Sequence, residues 1–320
     1  MKIVFLGTPD FAVPSLNALI NSHHKVVGVV TQPDKPVGRH GKVEFSPVKK
    51  VALQHNIPVF QFEKIRVNGV EPLKALNADI FVTCAYGQIL SQEVLDIAPF
   101  GVINVHGSLL PKYRGAAPIQ WAVINGDKVT GITILQTQIG MDDGPIILKR
   151  ETEIKKGETA GELFNRLAPL GAQCLLDALT QIENKTITFT PQNPNEVVVC
   201  KMLKKENFKP DFSILPSSLV NLIHGLNPWP TYTCKINDVS FKFLRAEELT
   251  KTQIENLNIN LNEFNNGEVV VAKPKIGLII KSGGGLVNIT ELQPQNGKIM
   301  PSKSYLNGKQ IMPHSLILSE

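Results

Sequence analysis

An asparagine and a histidine two residues apart close an apolar run, Gly101-Val-Ile-Asn104-Val-His106. In extended backbone, residues two apart share a face. Asn104 and His106 therefore offer one space a fixed amide donor and an imidazole able to carry a proton. Ser108-Leu-Leu-Pro111 follows at once, and a second extended run, Gly131–Gln136, feeds the glycine-flanked acidic pair of Gly140-Met-Asp142-Asp143-Gly144-Pro145. A carboxylate from that pair could face the imidazole and hold it in one tautomer. Amide, imidazole and carboxylate suit acyl transfer, which needs donors for the charge that develops on a carbonyl oxygen and a carrier for the proton that moves. Each residue alone also has a plain structural explanation: a strand end for Asn104, a satisfied turn histidine for His106, local turn bonds for Asp142 and Asp143. Their combination is what favours chemistry, and spacing alone does not separate the two aspartates.

The elements that must position these groups are legible as short apolar runs: Lys2–Leu6, Val26–Val30, Asp79–Cys84, Val102–Val105, Ile132–Gln136 and Ile146–Lys149. Alternating with amphipathic segments, they predict a mostly parallel sheet covered by helices. Thr8 is placed to cap a helix with Pro9 at its first position. Thr159-x-x-Glu162 predicts a capping box opening a helix to about Glu183, with Leu163, Leu167, Leu170, Cys174 and Leu175 as its apolar stripe and a kink expected at Pro169. Gly7-Thr-Pro-Asp stands where a dinucleotide loop would, but lacks Gly-x-Gly-x-x-Gly. No Walker lysine loop and no Gly-x-Ser-x-Gly elbow occur, so a nicotinamide cofactor is not expected.

Composition sets bounds. The chain has 320 residues, enough for two cores, with 42% hydrophobic residues. No stretch approaches the ~18 apolar residues of a membrane span, and the opening Ile3–Leu6 is too short for a signal core. A cytoplasmic protein with no membrane partner is expected. Cys84, Cys174, Cys200 and Cys234 form no Cys-x-x-Cys pair and are expected to be buried small hydrophobes. The seven histidines show no His-x-x-x-His spacing, so no metal is expected in catalysis. A net charge of +5 is modest. Its clusters, Lys35, Arg39, Lys42, Lys49 and Lys50 in one loop and Lys201, Lys204, Lys205 and Lys209 at a junction, are where a phosphate backbone could dock.

Between Thr190 and Lys209 the periodicity fades into prolines, asparagines and lysines, a connection between domains. A short helix near Leu215–His224 follows, then strand-like runs at Thr231–Ile236, Val239–Leu244, Gly267–Val271, Ile276–Lys281 and Leu286–Leu292, with Gly283-Gly-Gly285 as a turn. They predict a small closed or half-closed antiparallel barrel. Trp229, between two prolines in Asn227-Pro-Trp-Pro230, is expected to plug the core rather than stack on RNA.

Asn104-x-His106-x-Ser-Leu-Leu-Pro111 with the later Asp142-x-Gly144 resembles the formyltransferases that use 10-formyltetrahydrofolate. Lys2–Ala12, Gln32-Pro-Asp-Lys-Pro-Val-Gly-Arg39, Tyr113-Arg-Gly-Ala-Ala-Pro-Ile-Gln120, Asn227–Pro230, Thr290–Gln293 and Tyr305–Gly308 are similar, in order and over the whole length, to the branch of that family acting on methionyl-tRNA. The resemblance implies an α/β fold class: a Rossmann-like, mostly parallel sheet domain (1–189), a linker (190–209) and a smaller OB-like β-barrel domain (210–320) contacting tRNA. It implies formyl transfer from 10-formyltetrahydrofolate as co-substrate to the α-amino group of methionine on initiator methionyl-tRNA. By the same analogy, Asn104, His106 and Asp142 are catalytic; Ser108, Leu109, Leu110 and Pro111, with Leu90 of Tyr86-Gly-Gln-Ile-Leu90, line the folate pocket. Arg39 and Lys42 meet the tRNA acceptor stem, and a monomer is the default expectation. The chain departs from the family's pattern at Lys204–Phe212, where Phe212 stands in a tryptophan's place. Formyl transfer to a small amine, or formylfolate hydrolysis, would use the same trio but would need neither the basic loop nor the barrel. A non-catalytic RNA-binding protein would tolerate loss of Asn104 and His106.

Overall fold

Branched and aromatic runs flanked by turn-formers become strands in the computed structural model, which describes residues 1–37 and 42–319, with the backbone alone for Val37, Lys42 and Val43. In chain order they are β1 (Lys2–Gly7), β2 (Lys25–Thr31), β3 (Lys35–Val37), β4 (Lys42–Glu44), β5 (Val59–Gln61), β6 (Ile80–Cys84), β7 (Val102–His106), β8 (Lys112–Gly115), β9 (Val129–Gln136), β10 (Ile146–Glu153) and β11 (Val198–Cys200). Seven form one sheet in the order β10-β9-β7-β6-β1-β2-β5. β5, β2, β1, β6 and β7 are parallel, β9 runs against β7 and β10 against β9. The chain moves outward from β1 to β5 and then resumes on the other side of β1, so strand order reverses there. β6 is buried throughout and β1 beyond Lys2, so both read as unbroken apolar runs.

The long helix is Ala160–Glu183, opened by the predicted box: Thr159 N–H donates to Glu162 Oε2 at 2.9 Å and Glu162 N–H to Thr159 Oγ1 at 3.3 Å. Pro169 lies within a single helix that continues past it. Thr8 caps nothing. The helix after β1 starts only at Val13, and Thr8 Oγ1 instead donates to the Tyr86 carbonyl at 3.3 Å and accepts the Gln32 N–H at 3.2 Å, tying together the ends of β1, β2 and β6. β3, β4, β5, β8 and β11 are three or four residues each, too short to show a period. All four cysteines are free and buried, as composition suggested.

Contacts group the chain into two units, residues 1–118, 129–153 and 164–200, and residues 119–128, 154–163 and 201–320. The second holds the helix Pro216–Gly225 and β12 (Tyr232–Ile236), β13 (Val239–Glu248), β14 (Val269–Lys273), β15 (Gly277–Ser282), β16 (Gly285–Pro294), β17 (Met300–Pro301) and β18 (Ile317–Leu318). Their order is β14-β15-β16-β13-β12-β18, with β17 on β16 and every pairing antiparallel. The curl closes where the Ile317 N–H reaches the Gly267 carbonyl and the His314 N–H the Val269 carbonyl, both at 2.8 Å. Gly283 and Gly284 turn β15 into β16 with φ of 49° and 84°, which only glycine adopts without a steric cost. Phe212 is buried edge-on against Tyr232 at 6.3 Å between ring centroids. No helix among the described residues is long and apolar enough to cross a membrane.

His224 is the sensitive point of this unit. Its Nε2 accepts the Ala246 N–H at 3.1 Å and must stay unprotonated to do so. Burial, helped by Arg245, pushes its pKa from 6.5 down to about 4. The unfolded chain takes up a proton in that interval which the folded chain refuses. His224 thus contributes no penalty above pH 6.5, and stability falls as pH drops from 6.5 toward 4, by at most about 3 kcal/mol. Urea midpoints measured across this range should show that fall, and His224→Gln should flatten it.

Candidate active site

β7 presents Asn104 and His106 to one face, as its period requires. Thr83, beside Asn104 in β6, donates its hydroxyl to Asn104 Oδ1 at 2.9 Å, which turns the amide so that Nδ2 donates to Asp142 Oδ1 at 3.3 Å. His106 is 6% exposed, and its Nε2 lies 3.0 Å from the Tyr113 carbonyl oxygen. A carbonyl only accepts, so Nε2 carries the hydrogen and Nδ1 faces Asp142 Oδ2 at 3.7 Å. Asp142 Oδ2 also accepts the Gly115 N–H at 2.9 Å. One carboxylate thus faces the amide, the imidazole and a backbone donor. The geometry also separates the aspartates: Asp143 is exposed and makes none of these contacts.

The backbone around the trio is bent to hold it. Tyr113, Ala117 and Asp142 have φ of 66°, 61° and 51°, a region disfavoured for residues with a β-carbon by roughly 1–2 kcal/mol each. Gln192, in the segment whose periodicity fades, supplies a missing restraint. Its Nε2 donates to the Asp142 carbonyl at 2.7 Å and the Gly144 carbonyl at 2.8 Å, and its Oε1 accepts from Arg114 Nε at 2.9 Å. Pro191 and Pro194 around it were the available signal, since prolines stiffen an extended segment rather than loosen it.

The Ser-Leu-Leu-Pro loop faces inward. Ser108 Oγ donates to the Lys112 carbonyl at 2.6 Å, Leu110 is fully buried with Leu135 and Ile146, Pro111 is buried, and half-buried Leu109 lies against Gly131, where a β-carbon would come within 2.7 Å of it. Leu90 is buried in the cluster that holds Leu95 and Val102. Those two residues, with Thr137, Ile139, Gly140 and Asp143, line a cavity of about 970 Å3. None of the five predicted folate residues is part of that lining. The cavity reaches Ile103 and Asp143, chain neighbours of Asn104 and Asp142. Thr137 Oγ1 in its wall is buried without a partner. Sequence reading missed this wall because Thr137–Gly140 reads as a polar turn.

The basic loop is a hairpin, β3 paired antiparallel with β4. Arg39 and the side chain of Lys42 lie outside the described residues. Lys49 does not offer its charge to a phosphate. It pairs with Asp34, donates to Gln61 Oε1 at 2.8 Å and lies 4.1 Å over the Phe45 ring. Burial alone would raise the Asp34 pKa; the bonds from Lys49 and Gln61 outweigh it and hold the carboxyl below its ordinary value. Gln61 Nε2 also donates to the Gln32 carbonyl at 2.8 Å, fixing the hairpin's base. Trp229 is 62% exposed and no plug: buried Leu226 and Pro230, and the Asn227 amide on the Leu244 carbonyl at 2.8 Å, anchor the turn and leave the indole outward. One group of described residues, His23, His24 and Glu183, has metal-ligand atoms within 4.8 Å of one another, and none of the three belongs to the trio.

Residues 1–179 match the formyl transferase family and residues 202–310 the formyl transferase C-terminal domain family. The chain is 44% identical over 312 residues to the methionyl-tRNA formyltransferase of Ruminiclostridium cellulolyticum, covering 97% of both. Among solved structures, the N-formyltransferase from Helicobacter canadensis with folinic acid and dTDP-3-aminofucose aligns with TM-score 0.65 and 20% identity, over 90% of this chain and 98% of that one. HypX from Aquifex aeolicus with tetrahydrofolic acid aligns with TM-score 0.62 and 15% identity, over 98% of this chain and 50% of that one. The two structures speak to the fold alone, which is the Rossmann-like sheet and small barrel the sequence predicted. The 44% identity over nearly the full length goes further: the chain belongs to the methionyl-tRNA formyltransferase family.

Proposed function

We propose that this chain transfers the formyl group of 10-formyltetrahydrofolate to the α-amino group of methionine on initiator methionyl-tRNA. The observation that carries the proposal is the Asp142 carboxylate facing both the Asn104 amide and His106 Nδ1. The cavity beside it suits a flat heterocycle. It combines apolar walls from Leu95, Val102 and Ile139 with the unpartnered hydroxyl of Thr137. Leu90 backs the wall through Leu95 and Val102, while the Ser108–Pro111 loop lies outside this lining, with Leu110 packed on Leu135 and Ile146. When bound there, the folate supplies a formyl carbon open to attack.

The chain's own groups then have distinct tasks. Asn104 Nδ2 gives one hydrogen to Asp142 and has a second for the formyl oxygen, where negative charge develops. His106 Nδ1 takes the proton of the attacking amine and hands it to the departing nitrogen. Asp142 stabilises the imidazolium in between without itself taking the proton, and these steps call on no metal. Arg39 and Lys42 are the groups assigned to the acceptor-stem phosphates, and the exposed Trp229 offers a stacking face in the barrel unit. A tRNA substrate puts the work in the cytoplasm.

A sugar-amine acceptor is the main rival. The Helicobacter canadensis neighbour spans both units, so a trailing barrel does not discriminate; the 44% identity over 97% of the chain favours methionyl-tRNA. An assay offering methionyl-tRNA, an amino sugar nucleotide and water to the same formyl donor decides it, and no formylated methionine would end the proposal. Within that assay, Asn104→Ala should lower kcat by roughly 10²–10³. Asp142→Asn should be similarly damaging. Lys49→Met should raise KM for methionyl-tRNA about tenfold, ~1.4 kcal/mol of lost docking, with KM for the folate unchanged.

A further inference from the structure

We infer that Gln192 is a positioning residue that sets the Asp142 carboxylate, an inference that rests on the trio reading above. Three of its amide's bonding positions are committed at once: two hydrogens to the Asp142 and Gly144 carbonyls at 2.7 and 2.8 Å, and the oxygen to Arg114 Nε at 2.9 Å. The arginine bond fixes which end of the amide faces the turn, because guanidinium donates and never accepts.

The turn needs that outside grip. Asp142 sits at φ 51°, where its own backbone preference favours leaving. Its carboxylate is useful only while Oδ2 meets the Gly115 N–H and faces His106. Arg114 stands between Tyr113, whose carbonyl holds His106 Nε2, and Gly115, whose N–H holds Asp142. One glutamine therefore links the anchors of imidazole and carboxylate through a single guanidinium.

The segment carrying Gln192 is itself pinned at both ends. Thr190 exchanges both backbone bonds with Ile146 at 2.8 and 2.9 Å, and β11 pairs with β8. Only a primary amide at the length of glutamine offers two donors and an acceptor here. Glutamate would set an oxygen against two carbonyls, and alanine would leave both carbonyls and Arg114 without their partner.

The test is a double-mutant cycle with a second readout that needs no turnover. Gln192→Ala should lower kcat about tenfold, with KM for both substrates within about twofold; Gln192→Glu should be at least as harmful. On the residual turnover of Asp142→Asn, Gln192→Ala should change nothing further. Hydrogen exchange of the free protein should rise in Gln192→Ala at the amides of 140–146 and not across β1 or β6. Equal losses in both backgrounds would make Gln192 a general structural residue and overturn the inference. So would unchanged exchange at 140–146, whatever acceptor the wild-type chain proves to formylate.

Discussion

One carboxylate organises this site. Asp142 takes hydrogen bonds from Asn104 and Gly115 and lies 3.7 Å from His106, so moving it releases the amide, the backbone donor and the imidazole's partner together. Charge-assisted bonds of this kind are among the stronger polar contacts in proteins, and they weaken steeply with misalignment. Much of the local architecture can be understood as holding that side chain still: a left-handed residue in the turn, a glutamine across its carbonyls, a strand pinned behind it.

The antiparallel pair β9–β10 is what delivers the carboxylate. Were every connection a parallel crossover, the acidic turn would leave the sheet at the same end as β7 only after a helix. Instead β9 runs back along β7, with Ile103 opposite Gln136 and His106 opposite Thr133. The turn into β10 begins beside the start of β7, and its bends return Asp142 to the trio. The same reversal leaves Thr137–Ile139 as a wall of the cavity, so a single departure from parallel order supplies both the carboxylate and part of a pocket.

The shared face of Asn104 and His106 was legible because period-two spacing fixes it without any knowledge of partners, whereas only the family resemblance set Asp142 apart from Asp143; the capping box at Thr159 was legible because its bonds are local. Five of the barrel strands were legible to within a few residues as apolar runs between turn-formers, although of these only β12 alternates cleanly in burial; β17 and β18, of two residues each, were too short to see. What escaped was long-range. Gln192 meets a turn some fifty residues away along the chain and no periodicity marks such a bond. Lys49 read as a free cation because its partners, Asp34 and Gln61, are brought to it by sheet order. Leu110 read as a pocket wall although it fills the core with Leu135 and Ile146. Trp229 read as a plug although only its flanking residues are held. Each difference concerns which neighbour a side chain meets, not which element it occupies.

The ring in the second unit is sealed by the backbone bonds that residues 314–317 lend to 267–269. A chain shortened before His314 would keep most of its strands yet leave the amides and carbonyls at the start of β14 without mates. Such a bare flank is a template on which a second molecule's strand can add. These few residues thus work as a selvage: they keep the weave from unravelling and keep one protein from being stitched to the next.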